Sequence, residues 1–157
     1  MCIRDSNNTT APGSAGGGAY VNNFTTLTTY QTTFARNSAQ EGGGVYLNDG
    51  TIEATQTNFI ANGSIDTDMT ISIINGGAIY NNNGDVRIER SLIEGNVVAD
   101  SGGGVYSAGT DNSSTINITD STLANNTAEQ NGSAVWIDAG VIDICLLYTS
   151  PSPRDRG

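Results

Sequence analysis

The sequence predicts an all-β fold, a right-handed single-stranded parallel β-helix (solenoid) of about five coils, truncated at both ends. Three observations lead there. A glycine-led phrase ending in an aromatic residue returns along the chain: "GGGAY" at Gly16–Tyr20, "GGGVY" at Gly42–Tyr46, "GGAIY" at Gly76–Tyr80 and "GGGVY" at Gly102–Tyr106. The stretches between these phrases alternate apolar with polar residues, the period of a strand. The length differences between units fall in polar segments, which a stack of coils joined by loops tolerates.

Each unit reads in the same order. The glycines supply tight bends where a Cβ would obstruct, and the aromatic follows at once. A second strand comes next, as in "TIEAT", "DVRIERS" and "TINITDS", rich in β-branched residues and bounded by Gly, Asn and Asp. The unit closes on an apolar residue and then an Asn: "TTFARN" at Thr32–Asn37, "TNFIAN" at Thr57–Asn62, "SLIEGN" at Ser91–Asn96 and "STLANN" at Ser121–Asn126. A fifth unit opens at Gly132 and breaks off in "VIDI", Val141–Ile144. Stacked coils bring equivalent residues into columns. Phe34, Phe59, Ile93 and Leu123 are expected to form one apolar ladder, and Leu27, Ile52, Val86, Ile116 and Ile142 another. Asn37, Asn62, Asn96 and Asn126 form a turn ladder whose side chains satisfy main-chain groups. Tyr20, Tyr46, Tyr80, Tyr106 and Trp136 form an aromatic column. Alternation leaves two orientations open, and the aliphatic set Ala19, Val45, Ile79, Val105 and Val135 is taken as the inward one.

The paired phrases, "GGAI" at Gly76–Ile79 with "FARN" at Phe34–Asn37 and "FIAN" at Phe59–Asn62, resemble the GGA(I/L/V) and FxxN repeats of polymorphic outer-membrane proteins. The resemblance spans Gly16 to Ile144. Ile93 and Leu123 stand where that pattern has Phe, and Ser133 interrupts the last glycine pair. It implies a right-handed β-helix of the pectin-lyase-like superfamily, often an autotransporter passenger or adhesin. The expectation is a secreted or cell-surface segment, extracellular or at the outer membrane, with a structural or adhesive role as a passenger or stalk. Its partners would be further coils of the same chain, and a carbohydrate or a host or cell-surface protein. The alternative is part of a β-helical polysaccharide lyase or glycoside hydrolase.

Composition narrows the chemistry. The net charge is -10 over 157 residues, with six Arg and neither Lys nor His. Such a chain has no electrostatic footprint for nucleic acid, and no apolar run is long enough for a transmembrane helix. Register by repeat places Arg87 beside Glu53 and Arg90 beside Asp120. These read as ion pairs on a solvated face rather than as catalytic residues, so no catalytic, cofactor or metal residue is assigned. "IDTDMT" at Ile65–Thr70 and "NNNGD" at Asn81–Asp85 carry oxygens suited to Ca²⁺, but neither has the spacing of a known Ca²⁺ loop, so both read as polar loops. The aromatic column is the candidate stripe for a carbohydrate or protein partner.

The ends stand apart. "MCIRDS" and "CLLYTSPSPRDRG" lack the repeat and resemble translated sequencing-library adapters in two orientations, as a metagenomic fragment would carry. The expected division is therefore 1–6 and 145–157 as adapter-like artefact, with 7–144 as the β-helix. Both cysteines, Cys2 and Cys145, fall in those ends. The charge of 7–144 becomes 3 minus 14, or -11, once three Arg and two Asp of the ends are removed.

Overall fold

The computed structural model describes residues 4–11, 13–64, 75–110 and 114–145. Among them there is no helix: the chain forms eighteen short strands in parallel sheets stacked as a β-solenoid of about 4 turns, consistent with a right-handed parallel β-helix. The sequence estimate of five coils counts the incomplete first and last units.

Three five-stranded sheets and one three-stranded sheet run the length of the stack. The first carries the glycine phrase and aromatics: β2 (Ala19–Asn22), β5 (Val45–Asn48), β9 (Ile79–Asn82), β13 (Val105–Ala108) and β17 (Val135–Ile137). The second holds β3 (Thr26–Tyr30), β6 (Thr51–Thr55), β10 (Asp85–Glu89), β14 (Thr115–Thr119) and β18 (Val141–Cys145). The third holds β1 (Arg4–Ser6), β4 (Thr33–Ala35), β7 (Asn58–Ile60), β11 (Leu92–Glu94) and β15 (Thr122–Ala124). The short fourth sheet is β8 (Gly63–Ser64), β12 (Val97–Val98) and β16 (Thr127–Ala128). Among the described residues every strand pairing joins one coil to the next, so the sheet hydrogen bonds run between coils.

The register fills the interior column by column. Phe34, Phe59, Ile93 and Leu123 are consecutive partners, all buried, and the two Phe rings stack with centroids 5.3 Å apart. Leu27, Ile52, Val86, Ile116 and Ile142 form the facing column. Val45, Ile79 and Val105 are fully buried, which turns the tyrosines beside them outward.

Two of the bends share one device: each is made by a residue with a left-handed backbone, followed by a polar residue that ties coils together. Gln31, Gln56, Arg90 and Asp120 have φ of 48 to 50°, and the buried residues after them are Thr32, Thr57, Ser91 and Ser121. The Thr57 N–H donates to Ser91 Oγ at 3.0 Å, and the Ser91 N–H to Ser121 Oγ at 3.1 Å. At the next bend Arg36, Ala61, Gly95 and Asn125 are left-handed, with φ of 52 to 64°. The ladder Asn follows each. The Asn of the FxxN pattern is therefore the clamp, and the residue before it makes the turn.

That clamp is regular. The Asn37 N–H donates to Asn62 Oδ1 at 3.0 Å, Asn62 to Asn96 at 2.9 Å, and Asn96 to Asn126 at 3.1 Å. Each Nδ2 reaches back one coil, from Asn62 to the Phe34 carbonyl, Asn96 to Phe59 and Asn126 to Ile93, at 2.9–3.0 Å. Asn8 extends the ladder, its N–H donating to Asn37 Oδ1 at 3.0 Å.

At the margins, Arg4–Ser6 pairs with Thr33–Ala35, and Cys145 ends a strand paired with β14. Both were set outside the repeat by their coding resemblance. Both lie on open sheet edges, where unpaired N–H and C=O groups accept an extended neighbour. Asp5 falls on the Phe34 column, a carboxylate where the other coils have apolar residues.

Candidate functional site

Two outer faces bring chemistry-bearing residues together. The first is the outer face of the sheet β2–β5–β9–β13–β17. Tyr20, Tyr46, Tyr80, Tyr106 and Trp136 are successive register partners there. Short side chains would leave such a face flat; here the four Tyr rings stack along the solenoid, each centroid 5.0 Å from the next, with interplanar angles of 13, 10 and 25°. Tyr20 is 53% exposed at one end and Tyr106 is 8% exposed at the other. Each inner ring therefore has its faces against its neighbours. What it offers to solvent is an edge and a hydroxyl.

Two residues along each strand lies an amide row that hydropathy patterning did not single out. The Asn48 Nδ2 donates to Asn22 Oδ1 at 2.8 Å, and the Asn82 Nδ2 donates to Asn48 Oδ1 at 2.9 Å. At the far end Asp138 accepts from the Tyr106 hydroxyl and from Trp136 Nε1, the latter at 2.7 Å.

Three phenols of the row, those of Tyr46, Tyr80 and Tyr106, are held in the neutral form. Burial pushes the Tyr46 phenol up to about 12, and the charges of Glu41 and Asp49 add to the shift. Burial also raises Tyr80, with Glu41 and Asp138 contributing, and raises Tyr106, with its Asp138 hydrogen bond. Burial raises the Glu41 carboxyl itself. Glu41 lies on the bridge column Ala15, Glu41, Asn75, Ser101, Asn131 just before the glycine phrase. Nothing in its hydropathy marks it; its place beside a stacked column does.

The second face belongs to β6, β10 and β14. A groove of about 390 Å³ is lined by Glu53, Thr55, Arg87, Glu89, Asn117 and Thr119 among others. The register sets Arg87 against Glu53, with Nη1 to Oε1 at 4.0 Å, and Arg87 Nη2 lies 3.4 Å from Asp85 Oδ2. All three side chains are at least one-third exposed, so each pair contributes about 0–1 kcal/mol. Arg90 falls beside Asp120 in register, as the repeat predicts, but forms no ion pair with it: both are left-handed bend residues, and the Arg90 guanidinium turns to Glu89 instead.

The candidate Ca²⁺ stretch Ile65–Thr70 lies outside the described residues. In "NNNGD", the buried Asn81 closes its own turn: its Nδ2 donates to the Gly84 carbonyl at 2.9 Å, and its Oδ1 accepts from the Gly84 N–H at 3.0 Å. Among the described residues, no three His, Cys, Asp or Glu gather as a metal-binding group. Also among the described residues, no helix is long and apolar enough to cross a membrane.

Comparison with protein-family models, with curated proteins and with solved structures gives no match to this chain.

Proposed function

We propose that this chain is an adhesive scaffold of the polymorphic outer-membrane type, displayed outside the cell, in which the solenoid is a spacer and the aromatic stripe is the contact surface. The observation that carries this reading is the stacked Tyr20–Tyr46–Tyr80–Tyr106 row on an outer face. An interior column needs apolar residues to stabilise the coil; an outer column of four aligned aromatics does not follow from the coil geometry. Aromatics with a polar tip are enriched at contact surfaces because one end is apolar and the other hydrogen-bonds. The glycine and FxxN phrases support the family likeness, and the columns running through every coil support a spacer.

Adhesion is tested by coating beads with the purified chain and counting beads retained on bacterial and epithelial cell layers. Retention above an unrelated acidic protein is the expected outcome. Retention at the control level overturns the reading.

A polysaccharide lyase or hydrolase is the second reading, favoured by Arg87 set between Glu53 and Asp85 in an open groove. It predicts release of reducing or unsaturated ends from an acidic or neutral polysaccharide, abolished in Arg87→Ala. Absence of turnover in wild type, with bead retention intact, decides for the scaffold.

A further inference from the structure

We infer that the tyrosine and asparagine rows together form a binding strip for a neutral linear polysaccharide, gripped edge-on by hydrogen bonds along the solenoid axis. This rests on the adhesive reading and names the ligand class of its contact surface.

Ring stacking decides the mode of contact. Sugar rings commonly lie flat on an aromatic face, yet the faces of Tyr46 and Tyr80 are covered by neighbouring rings at 5.0 Å. Face-on stacking is left to the end of the row, where Tyr20 is 53% exposed. Phe24 stands two residues beyond Asn22, 89% exposed and with φ of 60°. A bulky side chain in the left-handed region is an outlier whose strain calls for a reason. An exposed aromatic side chain in the same coil as Tyr20 supplies one.

The rest of the strip is polar and periodic. Hydroxyls of Tyr46 and Tyr80 recur once per coil, and so do the amides of Asn22, Asn48 and Asn82. The amides bond to one another in one direction, which leaves the Asn22 Nδ2 and the Asn82 Oδ1 as unmatched ends of that row. A polymer presenting hydroxyls once per ring, at a spacing close to one strand separation, matches such a row.

Charge selects among such polymers. Asp138 accepts from Tyr106 and Trp136 at one end of the row and Glu41 lies on the bridge column just before the glycine phrase, whereas among the described residues Arg87 lies on β10 in another sheet and Arg36 and Arg90 lie at other bends. A uronate or sulfated chain laid along the strip meets carboxylates without a compensating cation. A neutral hexose polymer meets hydrogen-bonding groups only.

The test is affinity electrophoresis of the full chain through gels containing hydroxyethylcellulose, polygalacturonate or dextran sulfate, with wild type, the double variant Tyr46→Phe with Tyr80→Phe, and Phe24→Ser. The Phe variants keep the ring stack and remove the hydroxyls; near-ultraviolet circular dichroism and a thermal melt confirm that they fold. Retardation by the neutral glucan alone is expected, weakened roughly tenfold in the double Phe variant, as loss of two net hydrogen bonds implies. Unchanged retardation in that folded variant overturns edge-on binding, and stronger retardation by either polyanion overturns the neutral ligand. Cell-layer retention by a chain that no neutral glucan retards overturns this inference and leaves the adhesive reading standing; loss of both overturns both.

Discussion

Asn62 shows how much one side chain holds. It is buried, its Oδ1 takes the Asn37 N–H, and its Nδ2 takes the Phe34 carbonyl. Asn62→Ala leaves the buried Asn37 N–H without a partner and takes the second donor from the Phe34 carbonyl, which stays in the strand ladder. At about 1–3 kcal/mol for one unsatisfied group, a loss of about that size is expected in a urea melt. The residue before it predicts the opposite sign. Ala61 has φ of 52°, a conformation costing about 1–2 kcal/mol for an L residue. Gly95 occupies the equivalent place in the next coil and has open space around it. Ala61→Gly should raise the melting temperature modestly, because the relieved strain exceeds the extra chain entropy of about 0.5–1 kcal/mol. The recurrence of Asn after an apolar residue was visible in the sequence. The turn itself was not, because Arg36, Ala61, Gly95 and Asn125 have no shared chemistry, only a shared backbone angle.

Strands were legible wherever a column repeated one kind of side chain. Phe34 with Phe59 and Ile93 with Leu123 needed only alignment, and Phe59→Ala should cost about 3–5 kcal/mol, read from equilibrium unfolding. The amide row Asn22, Asn48, Asn82 stayed hidden. Asn is abundant at the other bends of this chain, Asn23, Asn37, Asn62, Asn83 and Asn96 among them, so an outward Asn on a strand has little contrast with its surroundings. The tyrosine row was visible as a column, but its mutual stacking needs side-chain geometry that alternation does not specify. That stack has a pH consequence. Tyr46, Tyr80 and Tyr106 have phenol values raised above 10, so the folded state keeps its protons where the unfolded chain releases them. Their contribution is complete below pH 10 and declines as pH rises from about 10 through the folded values. A melting temperature that falls over this window, together with phenolate absorbance appearing late in the native chain, is the expected titration.

Across the whole molecule, the two ends of the stack differ from its middle. Val141, Ile142 and Ile144 on the edge strand β18 are 63, 38 and 41% exposed, while Ile116 and Ile118 on the paired strand are buried. An apolar edge with unpaired backbone groups invites another strand. Light scattering should show association that increases with concentration, reduced by Ile142→Lys with Ile144→Lys; a strictly monomeric wild type at all concentrations would contradict it. The direction of the backbone hydrogen bonds also makes the solenoid a mechanical element. They join coil to coil, so tension applied between the two ends loads them along their length and in series. Once one interface between coils yields, the load passes to the next. A coil of roughly 30 residues pays out about 100 Å of chain when extended. On the adhesive reading proposed above, a contact made through such a stack lengthens in steps under shear, dissipating force while the stripe stays attached.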